Sequence, residues 1–391
     1  MVTHKLMRAL CYGKELAMML LCRAAAPLCR SFFPACRDLW LVSERGNDAR
    51  DNGYWLYRYL RTQHPDINVR YIITADSPDY DRVAAWGVPV RQGSFSHYVL
   101  YYCSDYLIST HVQPCAPDRM AHYHLAANGL RASGKQVFLQ HGITKDEMQW
   151  LHRKKLFLDL FVCGALPEYN YLQQTFGHPE GVVQYLGFAR FDQLFHAPAP
   201  KQMVLLMPTW RGAQYPRGKA FRQTAYYHQF QSLLQSPALS HLLERYNFQL
   251  IFYPHVEMQP ELSAFAAGSD RVILADRSTH DVQQLLMDCA LLITDYSSVF
   301  FDIGYMNKPV LYYQFDEAEF RHYHYQKGYF DYHRDGFGPV CTEEAELLQV
   351  LEQYFTHAMH LQPLYQQRID KYFPLRDDHN CHRIFEAIRA L

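Results

Sequence analysis

The stretch Leu291-Leu-Ile-Thr-Asp-Tyr-Ser-Ser298, continuing as Val299-Phe-Phe-Asp302, is the most informative segment for the fold. Its apolar start predicts a buried strand, its polar middle a turn, and its end a helix over 298–305. Ser297 and Ser298 are favourable N-cap residues, and free N–H groups at a helix start bind anions. We therefore predict a phosphate or diphosphate site here, with helix capping alone as the alternative.

Short apolar runs alternate with helical stretches on both sides of this block. Strand candidates in the second half are 203–207, 248–253, 272–274 and 310–313, with helices at 281–288 and 343–355. In the first half they are 39–42, 69–73, 106–108, 137–140 and 160–163. This alternation predicts parallel, doubly wound sheets. We expect an α/β protein of two Rossmann-like domains facing a central cleft.

The expected domain boundaries follow from these runs and from one proline-containing linker. Segment 196–201 holds two prolines, which stiffen the chain and oppose helix formation. The predicted units are 1–37, an N-terminal domain 38–197, a C-terminal domain 202–360, and a helical segment 361–391 that is a candidate to cross back to the N-terminal domain. Ligands in such folds bind at the carboxyl ends of the strands, so the cleft is the expected active site.

Composition excludes several classes of protein. The 391 residues carry 38 Lys and Arg against 39 Asp and Glu, a net charge of −1, which argues against a nucleic-acid partner. The ten cysteines are scattered along the chain and form no CxxC pair. We therefore interpret them as reduced thiols of a cytosolic protein. The sequence contains no P-loop and no GxGxxG motif. We predict no metal cluster and leave Mg²⁺ open as a cofactor.

The N-terminal segment differs in charge from the rest. Residues 1–37 hold six basic residues and one acidic residue, a net +5. The longest apolar run, 16–22, is much shorter than the ~20 residues of a membrane span. We predict a basic amphipathic segment on an anionic membrane surface, with a helix packed on the domain as the alternative. Pro27 and Pro34 argue against one continuous helix.

A histidine ends one strand in each predicted domain. Gln140-His141-Gly142 follows strand 137–139, which puts His141 at the cleft, where an imidazole can act as a base at neutral pH. Gly142 permits a close turn, and Lys145 is a candidate phosphate contact. Tyr253-Pro254-His255 repeats this arrangement in the second domain. A surface or capping role is the alternative for either histidine.

A third strand end adds a cationic candidate. Pro208-Thr209-Trp210-Arg211 follows strand 203–207. A guanidinium makes bidentate contacts to phosphate, so Arg211 is a candidate clamp. Four strand ends thus offer His, His, Thr with Arg, and two Ser, a convergence that packing alone explains poorly.

These motifs, in this order, resemble the CDP-glycerol glycerophosphotransferase family of teichoic-acid primases and polymerases. The resemblance rests on Gln-His-Gly-x-x-Lys at 140–145, Pro-Thr-Trp-Arg at 208–211, Tyr-Pro-His at 253–255 and the block at 292–298. Asp302 and the run 308–316 continue it, and it covers roughly residues 135–320. The chain departs from the family pattern around both histidines, at Gln140, at 143–144, and at positions 253, 254 and 256.

The resemblance implies a GT-B fold and a bacterial peripheral protein on the cytoplasmic face of the cell membrane. It implies transfer of glycerol phosphate, or a related polyol phosphate, from CDP-glycerol to a lipid-linked or polymeric cell-wall or capsule glycan, with release of CMP. By motif, His141 resembles a general base in the acceptor domain, and His255 is the second catalytic candidate. The residues that resemble the donor phosphate and nucleotide site are Thr209, Arg211, Asp295, Ser297, Ser298 and Asp302.

Two other functions fit the same architecture. A nucleotide-sugar glycosyltransferase would direct attack to an anomeric carbon instead of phosphorus. A non-catalytic, membrane-associated scaffold would keep the fold without turnover, although His141, His255 and the two serines argue against it.

Overall fold

In the computed structural model, which describes residues 2–112 and 115–391 and side chains from residue 12 onward, two parallel sheets form the chain's framework. The strands of the first sheet are β1 (Leu39–Ser43), β2 (Asn68–Ile73), β3 (Val90–Arg91), β4 (Tyr106–Ser109), β5 (Lys135–Phe138), β6 (Leu160–Cys163) and β7 (Val183–Tyr185). Those of the second are β8 (Met203–Met207), β9 (Gln249–Phe252), β10 (Val272–Leu274), β11 (Leu291–Thr294), β12 (Val310–Tyr313) and β13 (Val340–Cys341). The predicted α/β class with two parallel sheets is confirmed.

Helices pack on these sheets. In the first half they are α1 (Val2–Phe32), α2 (Asn52–Gln63), α3 (Tyr80–Ala84), α4 (Phe95–Cys103), α5 (Arg119–Ala127), α6 (Leu166–Thr175) and α7 (Phe191–Phe195). In the second half they are α8 (Ala225–Gln235), α9 (Pro237–Arg245), α10 (Val282–Asp288), α11 (Phe300–Tyr305), α12 (Glu317–Tyr323), α13 (Tyr332–Asp335), α14 (Glu344–Thr356), α15 (Pro363–Tyr372) and α16 (Asn380–Arg389).

The strand order places the two cleft edges. The first sheet runs β3-β2-β1-β4-β5-β6-β7 and the second β10-β9-β8-β11-β12-β13. The order reverses between β1 and β4 and again between β8 and β11, and ligands of open parallel sheets bind at such switch points. Strands β3, β7 and β13 were not predicted, because none of them contains a run of three aliphatic residues like the one that predicted β10.

The C-terminal helix α16 lies against the first sheet's helices instead of the second's. The backbone N–H groups of Asn380 and Cys381 donate to the Asp192 carboxylate at 2.7 and 3.0 Å. The ring of Phe385 stacks on His64 with centroids 3.8 Å apart. The C-terminal helix therefore returns to the first half, and Asn380 also donates to the Tyr305 hydroxyl of α11 at 3.2 Å.

Helix α1 is continuous, so the expected break at Pro27 is wrong. Pro27 lies inside the helix and only withholds one backbone donor. Burial of Met19, Cys22 and Ala26 against the α4 region compensates for that loss, while Pro34 begins a separate 3-10 turn. Lys5 and Arg8, part of the predicted basic segment, lie outside the described side chains. None of the described helices is both long enough and apolar enough to span a membrane.

Candidate functional site

A cleft of about 280 Å³ opens between the carboxyl ends of the two sheets. Five of the predicted site residues line it: His141, His255, Ser297, Ser298 and Asp302. Four arginines and one histidine that the sequence analysis did not single out also line it: Arg45, Arg50, Arg190, Arg277 and His111. His111 and Arg277 follow strands β4 and β10, so the strand-end argument that found His141 would have found them too.

His141 has a fixed tautomer. Its Nδ1 lies 3.2 Å from the Thr110 carbonyl oxygen, and since a carbonyl only accepts, Nδ1 must carry the proton. The lone pair of the neutral ring is therefore on Nε2. The pKa of His141 is lowered to about 4. Desolvation by the cleft walls is the largest cause; the Thr110 contact acts in the opposite direction, and Arg45 and Arg190 add to the lowering. A neutral imidazole with a free Nε2 is the form that accepts a proton.

The loop that carries His141 is held from below by buried polar groups. Gln140 adopts a left-handed backbone, with φ of 60°. The Asn52 side-chain amide donates to the Gln140 carbonyl at 2.7 Å. The Glu168 carboxylate accepts from the backbone N–H of Thr144 at 2.6 Å, and burial raises the pKa of Glu168 to about 8. These bonds fix the loop without help from a ligand.

His111 lies face to face with His141, with ring centroids 4.4 Å apart and an angle of 10°. Arg45 Nε donates to His111 Nε2 at 3.2 Å, which occupies the nitrogen that protonation would need. Burial, with His141 and Arg45 nearby, lowers the pKa of His111 to about 2. His111 is therefore a neutral ring that positions His141, and Arg45 disfavours a positive charge on both.

His255 has the opposite tautomer. Its Nδ1 accepts from the Glu257 backbone N–H at 3.2 Å, so the proton of the neutral ring is on Nε2. Its ring lies parallel to Trp210, at 5.9 Å and 13°. Burial lowers the pKa of His255 to about 4, with Arg45 as the next cause. His255 can therefore donate a hydrogen bond from Nε2, whereas His141 can accept a proton there.

Ser297 and Ser298 meet the His141 loop across the cleft. A methyl group added to Gly142 would lie 2.7 Å from Ser298 Oγ, so the two halves approach closely at this point. Helix α11 begins at Phe300, two residues later than predicted, and spans only six residues. The capacity to bind an anion therefore rests on the two hydroxyls and the cleft arginines, with little support from a helix dipole.

Asp302 forms an ion pair with an arginine from the first half of the chain. Arg190 donates to both Asp302 oxygens, at 2.6 and 3.0 Å, and to Asp51 at 2.8 Å. A carboxylate in this arrangement repels phosphate but orients the guanidinium. We therefore expect Asp302 to position Arg190 instead of contacting a donor.

Arg211, Thr209 and Asp295 lie behind the cleft wall. Arg211 is fully buried and pairs with Asp295 at 2.8 Å and bidentately with Asp316. Thr209 Oγ1 donates to Asp295 Oδ1 at 2.7 Å. This placement differs from the predicted phosphate clamp, because two buried carboxylates neutralise the guanidinium and no surface of it faces the cleft. The three residues shape the turn after β8.

Lys145 was predicted to contact phosphate, but it does not line the cleft. It is buried, pairs with Asp146, and lies 5.4 Å from the centroid of the Tyr332 ring. Asp146 in turn accepts from Arg321 at 2.7 Å, so the lysine belongs to a contact between the two halves. Among the residues that the structure describes, no group of three or more His, Cys, Asp or Glu could hold a metal ion.

The family model described as CDP-Glycerol:Poly(glycerophosphate) glycerophosphotransferase matches residues 33–390. The minor teichoic acid biosynthesis protein GgaB of Bacillus subtilis is 30% identical over 367 residues, which cover 91% of this chain and 40% of GgaB. A teichoic acid poly(glycerol phosphate) polymerase of Staphylococcus epidermidis is 22% identical over 84% of this chain and 46% of its own length. The chain thus spans less than half the length of these relatives.

Solved structures agree on the fold. A variant of the wall teichoic acid polymerase TagF soaked with CDPG superposes with a TM-score of 0.68 at 16% identity, covering 99% of this chain and 96% of that one. The MnaA–UDP structure from S. aureus reaches 0.56 at 12% identity, covering 90% and 96%. At these identities the likeness establishes the GT-B-like architecture alone.

Replacing Arg45 with glutamine should raise the pKa of His141, because it removes a positive charge that disfavours the imidazolium. Titration of ring ¹H–¹³C signals by NMR would measure the shift. Arg91→Gln, an exposed arginine outside the cleft, is the control. An unchanged pKa of His141 in Arg45→Gln would contradict the role assigned to Arg45.

Proposed function

The chain belongs to the CDP-glycerol:poly(glycerophosphate) glycerophosphotransferase family, and from that premise we propose that it transfers glycerol phosphate, or a related polyol phosphate, from CDP-glycerol to a lipid-linked or polymeric cell-surface glycan. CMP is the released product. The observation that carries the proposal is the pair of complementary histidines on the two sides of one cleft, beside two serine hydroxyls.

The proposed reaction begins with the acceptor hydroxyl. Its oxygen attacks the phosphorus of glycerol phosphate while Nε2 of His141 takes its proton. The bond from that phosphorus to the oxygen of CMP breaks, and CMP leaves with the electron pair. The neutral state of His141 supports this step, because a base with a lowered pKa is unprotonated at neutral pH.

Charge on the two phosphates is stabilised from the second half of the chain and from the cleft arginines. Nε2–H of His255 and the hydroxyls of Ser297 and Ser298 donate to phosphate oxygens in this proposal. Arg277 is exposed in the cleft and makes no ion pair within the described residues, so it is available to the donor. Arg190 keeps its place through Asp302.

His141→Ala should lower kcat by roughly 10²–10⁴-fold, because a general base contributes about that factor, and should leave donor affinity unchanged. CMP release from CDP-glycerol measures turnover, with calorimetry for donor binding. His241→Ala, an exposed histidine of α9, is the matched control. In the unchanged protein kcat/KM should stay level down to about pH 5 and fall toward pH 4, since it follows protonation of a base whose pKa is about 4.

Near-normal turnover of His141→Ala would remove this residue from the mechanism. Turnover of UDP-sugars instead of CDP-polyols in the same assay would favour the glycosyltransferase alternative. If no nucleotide donor is turned over by the unchanged protein, the scaffold alternative stands.

We also propose that the protein binds the cytoplasmic face of the membrane peripherally, through the outer face of α1. Exposed positions on this helix recur every three or four residues from residue 13 to 32, which makes one continuous stripe. Its members are Gly13, Lys14, Ala17, Leu20, Leu21, Ala24, Pro27, Leu28, Ser31 and Phe32. The stripe is almost entirely apolar, an arrangement that water disfavours and a lipid interface favours.

Arg30 and Arg37, two of the six basic residues in segment 1–37, make contacts within the protein. Arg30 is paired with Asp105 at 2.6 Å, and Arg37 Nε donates to the Arg30 carbonyl at 2.8 Å. Apolar insertion is therefore the larger part of the proposed attachment, at about 2 kcal/mol for each large side chain that leaves water.

The triple variant Leu21→Asn/Leu28→Asn/Phe32→Asn should lose sedimentation with phosphatidylglycerol vesicles, because it removes the three most exposed large apolar groups of the α1 stripe. Unchanged protein should stay bound at ~1 M salt, where charge attraction is screened to ~3 Å. Leu364→Asn, an exposed leucine of α15, is the control. Equal sedimentation of the triple variant would place the attachment elsewhere.

A further inference from the structure

A groove leaves the cleft beside His141 and crosses the first half of the chain. Its first part, a cavity of about 860 Å³, shares Arg45, His111 and His141 with the cleft. A second cavity of about 510 Å³ continues it and shares Tyr123 and Phe138 with the first part. The catalytic base thus lies where the groove meets the cleft, and the groove is far larger than one glycerol unit requires.

The groove is basic in a chain that is slightly acidic overall. Six lysine or arginine side chains line its two cavities, against two aspartates. The basic residues are Arg45, Arg119, Arg131, Lys135, Arg153 and Lys155. One of the aspartates, Asp118, accepts from the Ala121 backbone N–H at the start of α5, and the other, Asp159, pairs with Lys135 at 3.5 Å. The remaining positive charge points to an anionic occupant.

Exposed aromatic rings alternate with these charges. Tyr123, Trp150 and Phe157 line the groove and are each more than 40% exposed. Phe157 is contacted by two guanidinium groups, Arg131 at 3.9 Å and Arg153 at 4.4 Å from its ring centroid. The exposed rings of Tyr123 and Trp150 offer apolar surface on which the C–H faces of sugars or polyols pack. The guanidinium groups stacked on Phe157 supply cations for phosphate.

The far end of the groove adjoins helix α1. Helix α5 supplies Tyr123 to the groove and His124 to α1, where His124 meets Tyr12 edge-on with centroids 6.2 Å apart. Arg23 of α1 donates to the backbone carbonyl of Arg131, a groove residue. The groove therefore runs from α1, the helix that carries the exposed apolar stripe, to His141.

We propose that this groove binds the acceptor, as a phosphodiester-linked polyol or sugar chain whose lipid-linked end lies toward α1 and whose terminal hydroxyl reaches His141. The proposal rests on the transferase function proposed above. Arginines and lysines bind the phosphodiesters, and the exposed rings pack against the units between them. Donor and acceptor then enter by different routes, the donor from the second half of the chain and the acceptor along the first.

A synthetic glycerol phosphate hexamer is a suitable probe, with binding measured by calorimetry at several salt concentrations. The double variant Arg131→Gln/Arg153→Gln should bind the hexamer at least about tenfold more weakly, with a shallower salt dependence, because two phosphate contacts are lost. Trp150→Ala should weaken binding at unchanged salt dependence, since it removes apolar contact and no charge.

Matched controls lie beside the groove and far from it. Lys154→Gln/Lys219→Gln removes two exposed lysines that do not line either cavity, and should bind as the unchanged protein does. The charge-retaining Arg131→Lys/Arg153→Lys should recover most of the salt dependence. Equal hexamer affinity in the unchanged protein and in Arg131→Gln/Arg153→Gln would overturn the proposal.

Release of CMP from CDP-glycerol separates this proposal from the transferase function. The groove variants should keep the donor KM and the slow hydrolysis of donor by water, and should raise only the KM for the hexamer as acceptor. If CDP-glycerol is inert while hexamer binding still depends on Arg131 and Arg153, the transferase function fails and the groove stands. If the donor is turned over and hexamer binding does not depend on either arginine, the groove proposal is wrong and the transferase function is unaffected.

Discussion

The ion pair between Arg190 and Asp302 sets the relation between the two halves of the protein. Arg190 comes from the turn after β7, Asp302 from α11, and Asp51 completes the arrangement from the start of α2. A buried charge of this kind is costly to leave unpaired, since removing one partner of such a pair typically costs about 3–5 kcal/mol. The pair therefore favours a cleft that is already narrow, in which Gly142 contacts Ser298.

Within that cleft, two neutral histidines have complementary tautomers. A backbone carbonyl fixes the proton of His141 on Nδ1, and a backbone N–H fixes the proton of His255 on Nε2. Neither arrangement needs a carboxylate partner, so both rings stay neutral among several arginines that disfavour imidazolium. For the proposed reaction, this arrangement keeps an unprotonated base beside the arginines that would face the donor diphosphate, which a cleft of protonated histidines could not do.

The sequence predicted the parts of this site that depend on local order along the chain. A histidine directly after a buried strand must lie at the carboxyl edge of the sheet, so the positions of His141 and His255 could be predicted from β5 and β9 alone. Arg211 satisfies the same local pattern, yet its surroundings depend on Asp316, which follows another strand, and the two acids turn it inward. Arg190 was not predicted, because its ion pair with Asp302 forms only when the two halves pack together. The predicted break at Pro27 was wrong because burial of α1 outweighs one lost backbone hydrogen bond.

The complementary protonation of His141 and His255 can be measured by ¹⁵N chemical shifts of the histidine ring nitrogens. In protein labelled with ¹⁵N-histidine and assigned through His141→Ala and His255→Ala, the shifts at neutral pH should report a proton on Nδ1 of His141 and on Nε2 of His255. The same tautomer on both rings, or a protonated imidazolium at either, would contradict the account.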